Sequence, residues 1–463
     1  MKKQLGIFEL FAGMGAQSRA IKNIEKDMNI KLNHLGISEW SIKAIIAHDL
    51  LNNGEQCNFE EYANLNIDAK EYMLEYLSKF TFSLDGENPY SFRKLSKWNY
   101  RKLRQLYIAM KRTKNLGSIL DISAKDLPDN IGVLTYSFPC TSISTAGNQE
   151  GIVEGTPSGN LLEVKRILEE FNATEKLPSF LLMENVKALL NIRNKAIWDE
   201  FASFLESLGY HNTTMVLNAK EFGIPQSRDR VFCISELNGK KEINVEKKSF
   251  CPDLKEFLQV DNPLYLDEYK NAVPNNTPKR RIDYFDNTKK LNDLAHTMTI
   301  SCVQDRIPNC GVFLTNSDGL LINNPQLDRD INGVKAAFRF VTPREQFKLM
   351  GYEFEDFDTL KNAGFCKGHI ERLAGNSIVV PKLESIFSAI IKRISIKNRI
   401  KKAVATKTKK MKARVLRTIK KLKYEGSKIN SHRVSKIAGI SYVTARKYWK
   451  LLSSEIERLD DDK

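Results

Sequence analysis

No Cys-x-x-Cys pair occurs in the 463 residues, and the seven cysteines are odd in number and scattered. This pattern argues against both a disulfide framework and a closed zinc site, and for a reducing, cytoplasmic setting. No apolar run is long enough to span a bilayer, so no membrane partner is expected. The start, Met1-Lys2-Lys3-Gln4, leads straight into an apolar strand, and a secretory leader is not expected there. No internal repeat is present. Carboxylates are missing from one long stretch. Between Ile391 and Tyr424 there are fifteen lysines and arginines and no Asp or Glu, and nearly all of the net charge of +16 sits there. Such a block repels itself unless a polyanion neutralises it; the plain alternative is a solvated tail. Apolar content is ordinary, and the length suffices for a large core divided into two or three domains.

The pattern along the chain is strand alternating with helix. Gly6–Phe11 reads as a strand, Ala12-Gly13-Met14-Gly15 as a turn and Ala16 to about Asp27 as a helix. His34–Ser38 is a second strand ending at Glu39-Trp40, and Ser41–Leu51 a helix. Residues 52–120 break the alternation and read as an insertion, a solvated helical excursion in preference to a phosphate-contacting one. The alternation resumes with Ile131–Phe138, a loop at 141–159, a helix at 160–172, Phe180–Met183, a helix at 195–208, a strand near 213–218 and Val231–Ser235. From 236 to 335 it fades into short segments broken by Pro, Asn and Asp, as in a separate lobe. Thr342-Pro343-Arg344-Glu345 opens a helix with proline in its first turn. Gly375-Asn376-Ser377 precedes a closing apolar stretch, Ile378–Ile391, a strand or a helix. Alternation of this kind implies a parallel sheet that reacts at the carboxyl ends of its strands.

Several motifs fall at those ends. Phe11-Ala12-Gly13-Met14-Gly15 is a strand-to-helix glycine turn where backbone amides can approach a cofactor, although the third glycine of the dinucleotide fingerprint is missing. Glu39 is placed to accept hydrogen bonds from ribose hydroxyls, and Trp40 to cover an adenine or simply to fill core. Asp121-Ile122 would meet the adenine amino group from the other side, unless Asp121 is only a helix cap. Cys140 follows Pro139 after a buried strand; taken alone it is as readily inert packing as nucleophile. Glu184 ends a second strand, where a carboxylate also caps helices. Arg228 and Arg230 lead into a third strand and, alone, read equally as surface charges. A thiol, an acid and two guanidiniums converging in one cleft suit attack on an electron-poor ring attached to a phosphate backbone.

In order and spacing these motifs resemble the cytosine-5 DNA methyltransferases over residues 4–235 and 336–390. Phe8-Glu-Leu-Phe-Ala-Gly-Met-Gly15 is similar to the family's cofactor motif and Ser137-Phe-Pro-Cys-Thr-Ser-Ile-Ser144 to its nucleophile motif. Glu184-Asn185-Val186, Gln226-Ser-Arg228-Asp-Arg230, Arg339-Phe-Val-Thr-Pro-Arg-Glu345 and Gly375-Asn-Ser377 match further motifs. Thr141 departs from the usual glutamine after the cysteine. The resemblance implies an α/β, Rossmann-like, S-adenosylmethionine-dependent methyltransferase domain at 1–235 and 336–391. It implies a smaller target-recognition domain at 236–335. Residues 392–463 add a basic linker and a helix-turn-helix-like extension. No metal is expected.

The resemblance also assigns roles. Cys140 would add to carbon-6 of a flipped cytosine, and Glu184, its pKa raised, would share a proton with the ring. Arg230 would hold the ring carbonyl oxygen and Arg228 the neighbouring phosphate. Ser144 would sit near the flipped nucleotide's backbone, with Thr141–Gly159 closing over the base. Pro139, Leu162 and Asn376 would line the cofactor site beside Phe11, Gly13, Gly15, Glu39, Trp40, Asp121 and Ile122. Expected partners are duplex DNA and, within a restriction-modification system, a cognate endonuclease; the chain itself is expected to be a monomer.

The extension, Ser431 to Trp449, reads helix, tight turn, helix. Ala438 allows close packing, Gly439 turns the chain, Ser441 caps, and Val443, Tyr448 and Leu451 face the core. Tyr442, Thr444, Arg446 and Lys447 lie outward, as DNA-binding candidates; a plain helical hairpin is the alternative. Three other readings stand beside the main one: an RNA cytosine methyltransferase, a DNA-binding regulator on a dead catalytic fold, and a nicotinamide oxidoreductase. The intact Cys140, Glu184 and Arg230 weigh against the second and the incomplete glycine fingerprint against the third.

Overall fold

The structure, a computed structural model, describes residues 5–28, 31–54, 68–139, 159–252, 254–258, 338–425 and 430–451, with 268, 295–296, 311–313 and 427. Gly6–Leu10 is buried at every position and forms β1. The glycine turn leads into α1 (Ala16–Met28), followed by β2 (Asn33–Ser38) and α2 (Ile42–Asn53). Then come α3 (Ala69–Leu77), a short hairpin of β3 (Phe82–Ser83) and β4 (Pro89–Tyr90), α4 (Phe92–Leu95) and α5 (Tyr100–Arg112). β5 (Ile131–Tyr136), α6 (Asn160–Ala173), β6 (Phe180–Val186) and α7 (Ile192–Ser207) continue the alternation. β7 (Tyr210–Asn218), the two-residue β8 (Gln226–Ser227) and β9 (Asp229–Leu237) follow.

Six strands form one sheet in the order β2-β1-β5-β6-β9-β7. β1, β2, β5 and β6 are parallel, whereas β9 runs antiparallel to both neighbours. The expected all-parallel sheet is therefore corrected at this strand. Successive strands lie to opposite sides of β1, so the order reverses between β1 and β5 and opens a crevice at their carboxyl ends.

The described part of the 52–120 insertion is not a solvated excursion. Leu103, Leu106, Tyr107, Ile108 and Met110 of α5 are fully buried, as are Met73 and Leu77 of α3. Burying such side chains stabilises by about 1.5–3 kcal/mol each, enough to make α5 part of the core. The chain behind α5 is also sewn to the sheet, since the Leu116 amide donates to the Ile37 carbonyl at 2.9 Å.

Beyond residue 258 the described pieces are sparse, so nearly all of the lobe expected at 236–335 lies outside them. Here β10 (Ala295–His296) pairs with β8, and β11 (Gly311–Phe313) with β12 (Phe338–Phe340). Thr342 then caps α8 (Pro343–Lys348) in a reciprocal pair with Glu345, as Thr-Pro-Arg-Glu promised. α9 (Phe354–Asn362) and α10 (Lys367–Asn376) follow. The closing apolar stretch is helical from Val380, and α11 (Val380–Tyr424) runs on through the basic block expected to be a linker. α12 (Ser431–Ala438) and α13 (Tyr442–Leu451) end the described chain. The chain divides into two compact units, Met1–Ala389 and Ile390–Lys463. Among the described residues no helix is long and apolar enough to cross a membrane.

Candidate active site

The glycine turn after β1 has an unusual backbone. Phe11, Gly13 and Gly15 all have positive φ, of 56°, 57° and 85°. At Gly15 a Cβ would meet Asn52 and His48, whereas at Gly13 it would meet no described residue within 4 Å. Gly15 thus permits close packing, and Gly13 faces open space that a ligand can enter. The Gly13 amide donates to Glu39 Oε2 at 2.9 Å and the Ser41 amide to Oε1 at 2.7 Å. The Trp40 amide bonds this carboxylate too, which leaves fewer of its lone-pair sites for a hydroxyl donor. Burial pushes the Glu39 carboxyl up, and these backbone donors pull against that. Asn115 fixes the residue from below, accepting from the Glu39 amide at 3.1 Å and donating to its carbonyl at 2.9 Å.

Asp121 is exposed at the end of a single 3-10 turn, while Ile122 is buried. Arg166 of α6 holds this turn by donating to the Ile122 carbonyl at 2.8 Å. Trp40 and Pro139 are half-buried; Leu162, at 41% exposure, and Asn376 are exposed. The structure thus joins Gly13 to Glu39. Phe11, Ile119 and Ile122 share one hydrophobic core with Phe138 and Leu161. Cys140 and Ser144 lie outside the described residues.

The antiparallel course of β9 decides the acid–base geometry. Its register pairs Val186 with Arg230 and Asn185 with Val231. The amino end of β9 therefore lies beside the carboxyl end of β6, and Arg230 Nε comes within 3.4 Å of Glu184 Oε1. Burial raises the Glu184 carboxyl above the ordinary range, against the pull of Arg230, Arg228 and Lys382. A carboxyl raised in this way gives up its proton less readily than an exposed one. Asn185 donates to the Phe138 carbonyl at 3.1 Å and so ties the end of β6 to the segment that leads into Pro139. Ser137 in the same segment accepts from Gln17 of α1 at 3.4 Å.

Arg228 is placed differently from expectation. It is 1% exposed, and its guanidinium donates to the carbonyls of Gly375 (2.8 Å) and Ser377 (2.9 Å). Those bonds fix the turn that carries Asn376. A side chain so enclosed offers no surface to a phosphate, and its described role is to hold a turn.

Two buried residues had no role assigned from the sequence. Lys382 is 0% exposed, and its ammonium donates to the carbonyls of Leu217 (3.0 Å) and Arg228 (2.6 Å). Burial lowers its pKa to about 7, with Arg230 and Arg228 acting in the same direction. Its signal was a lone cation inside the apolar run from Ile378 to Ile386. Gln226 is the other: its amide reaches the Leu349 carbonyl at 2.8 Å and joins β8 to the end of α8.

Among the described residues, Glu9, His34 and His48 bring one donor atom each within 4.8 Å of one another, a donor set that suits a transition metal. Hydrogen bonds already join them. Ser18 Oγ donates to Glu9 Oε1 at 2.5 Å, and His34 Nε2 lies 2.8 Å from the same oxygen. Burial lowers the His48 pKa to about 4, so its imidazole is neutral. The group links β1, β2, α1 and α2 beneath the glycine turn.

Comparison with known proteins identifies the family. The family described as C-5 cytosine-specific DNA methylase matches residues 95–392. Type II methyltransferase M2.ScrFI of Lactococcus lactis subsp. cremoris is 35% identical over 399 residues, covering 84% of this chain and 99% of that protein. Orphan methyltransferase M.SssI of Spiroplasma monobiae is 33% identical, covering 84% of this chain and 97% of that one. The solved S. pombe Dnmt2 methyltransferase is 16% identical, with a TM-score of 0.51 over 84% of this chain and 99% of its own, a likeness of fold. Family membership implies S-adenosylmethionine as methyl donor. The chain belongs to the C-5 cytosine-specific DNA methylase family and is a DNA cytosine-5 methyltransferase.

Proposed function

We propose that Cys140 is the nucleophile of this methyl transfer, Glu184 its acid and Arg230 the cation that holds the ring carbonyl oxygen. One observation carries the reading. Asn185 ties the segment leading into Pro139 and Cys140 to the strand end that bears Glu184, with Arg230 alongside. The described parts of three motifs far apart in sequence thus meet at the carboxyl ends of β5 and β6. The thiolate of Cys140 adds to carbon-6, and the ring electrons move toward the ring nitrogen. Glu184 shares its proton there, so that charge does not accumulate, and carbon-5 becomes electron-rich. Arg230 stabilises the carbonyl oxygen. Bound S-adenosylmethionine supplies an electrophilic methyl group, with the open side of Gly13, the spare lone pairs of Glu39, and Trp40, Asp121, Ile122, Pro139, Leu162 and Asn376 as the residues that would hold it. Loss of the carbon-5 proton, return of the shared proton to Glu184 and departure of Cys140 as thiolate restore the ring.

The substrate in this proposal is a cytosine swung out of duplex DNA, at a cost of roughly a few kcal/mol of stacking and pairing. Residues 236–335 would read base edges, and the enzyme would serve a restriction-modification system. The test is adduct formation with a duplex carrying 5-fluorocytosine, which cannot lose its carbon-5 substituent as a proton. The parent enzyme should form a denaturation-resistant protein–DNA adduct. Cys140→Ala should bind the duplex and form none. An adduct in the variant, or none in the active parent, overturns the assignment.

A further inference from the structure

The residues beyond the catalytic body form a compact unit of their own, Ile390–Lys463. The family match ends at residue 392, and M2.ScrFI is used up to 99% of its length by 84% of this chain. From Ile390 onward the sequence holds 23 lysines and arginines against six carboxylates, which accounts for the whole net charge of +16 and leaves the first 389 residues close to neutral. An enzyme that acts on a polyanion thus carries its net positive charge outside its catalytic body.

The unit has its own small core. Val415, Ile419 and Leu422 lie on one face of α11 and pack with Val434 of α12, and Ile440 and Tyr448 close over them. Ala438 and Ala445 are buried where the two short helices meet. Gly439 turns the chain at φ 59°, ψ 44°, a left-handed conformation that glycine adopts without penalty. Ser441 Oγ accepts from the Thr444 amide at 3.1 Å and caps α13.

This packing sets the phase of α13. Ala445 and Tyr448 face inward, so Val443, expected in the core, is 75% exposed. Tyr442, Val443, Arg446 and Lys447, at positions i, i+1, i+4 and i+5, form one outward stripe. Arg433 and Lys436 of α12 are exposed, as are Arg414, Arg417, Lys420 and Lys421 of α11, and neither α12 nor α13 contains a carboxylate. A stripe that mixes cations with apolar and aromatic groups suits base edges. Arginine pairs with guanine, and an apolar side chain meets the thymine methyl. Cations around it suit phosphates.

We propose that this unit is a second duplex-DNA site, with the outward stripe of α13 in the major groove and the cations of α11 and α12 on the backbone. It supplies grip and local concentration, while the catalytic cleft performs the chemistry. The inference is independent of the roles given to Cys140, Glu184 and Arg230. Its test uses the full-length chain with Arg417→Gln and Lys420→Gln together, both exposed cations of α11 that the proposal places on the backbone. Binding to a labelled A·T-only duplex, which offers no cytosine, is measured across a salt series. Each lost cation contact lowers the salt slope by about 0.9, so a drop of about 1.8 is expected, with affinity at least about tenfold weaker at moderate salt. Single-turnover methylation of a saturating short cytosine-containing duplex should be unchanged, which shows the cleft intact. An unchanged slope and affinity overturn the proposal. Tighter binding of a stem-loop RNA than of the duplex by the parent also overturns it, by making the surface an RNA site. Failure of the 5-fluorocytosine adduct would leave this salt effect untouched, so the two readings fail separately.

Discussion

Replacing Gly15 with alanine should destabilise the catalytic body far more than the same change at Gly13. At Gly15, φ is +85° and an added Cβ would lie 2.3 Å from Asn52 Nδ2 and 2.7 Å from His48 Cδ2. Neither neighbour moves freely. Asn52 donates to the carbonyls of Gly15 (3.3 Å) and His48 (3.1 Å), and His48 Nε2 lies 3.2 Å from Ser18 Oγ. A left-handed backbone costs alanine roughly 1–2 kcal/mol, and overpacking typically adds about 1–3 kcal/mol. Gly15→Ala should therefore cost about 2–5 kcal/mol. Gly13 shares the left-handed backbone, at φ +57°, but has no described residue within 4 Å of an added Cβ. Gly13→Ala should cost only about 1–2 kcal/mol. Its methyl group would project into the space proposed for the cofactor, so S-adenosylmethionine affinity should fall. The assay pairs urea-unfolding midpoints with calorimetric titration of S-adenosylmethionine for both variants. Equal midpoints would refute the steric assignment, and undiminished cofactor affinity in Gly13→Ala would remove the turn from the binding site.

Glu184→Gln should reduce methyl transfer by about 10²–10⁴-fold while leaving cofactor affinity intact. The folded state raises the Glu184 pKa by burial, so its carboxyl contributes stability at low pH that is lost as pH rises from the ordinary range through the raised value. The stability of Glu184→Gln relative to the parent should improve as pH rises above 4.5, and a difference constant with pH would contradict burial as the cause. Lys382 has the opposite sign. With its pKa lowered to about 7, the folded chain releases a proton that the unfolded chain keeps until about 10.5. The parent should gain stability as pH rises from 7 toward 10, and Lys382→Met should lack that gain. The same rise in both proteins, read from unfolding midpoints, would reject Lys382 as its source. Lys382→Met should also lower turnover, because the carbonyls of Leu217 and Arg228 lose their shared donor.

Local chemistry was legible without coordinates. Glycines at Gly13 and Gly15 marked a turn because only a residue without Cβ takes that backbone cheaply, and Thr342-Pro343-Arg344-Glu345 announced a helix start because its side chains cap one. Period and spacing placed β1, β2, β5 and β6 to within a few residues, and the order of motifs identified the family. Direction and depth were not legible. A strand has the same two-residue period whichever way it runs, so nothing in Val231–Ser235 revealed that β9 is antiparallel. That reversal alone brings Arg230 to Glu184. Arg228 and Lys382 looked like any surface cations, because burial of a charge depends on carbonyls contributed from elsewhere, here Gly375, Ser377 and Leu217. The polar flanks of α5 hid a helix whose other face is core. The phase of α13 was settled by Ala445 and Tyr448 meeting the small core of their unit, which turned Val443 outward. Sequence alone determined which reaction this chain can perform and which groups it has for it, since those follow from residue types and their order. Tertiary structure decided which of those groups meet, because partners brought together across a sheet are set by strand direction and packing, neither of which a linear pattern encodes.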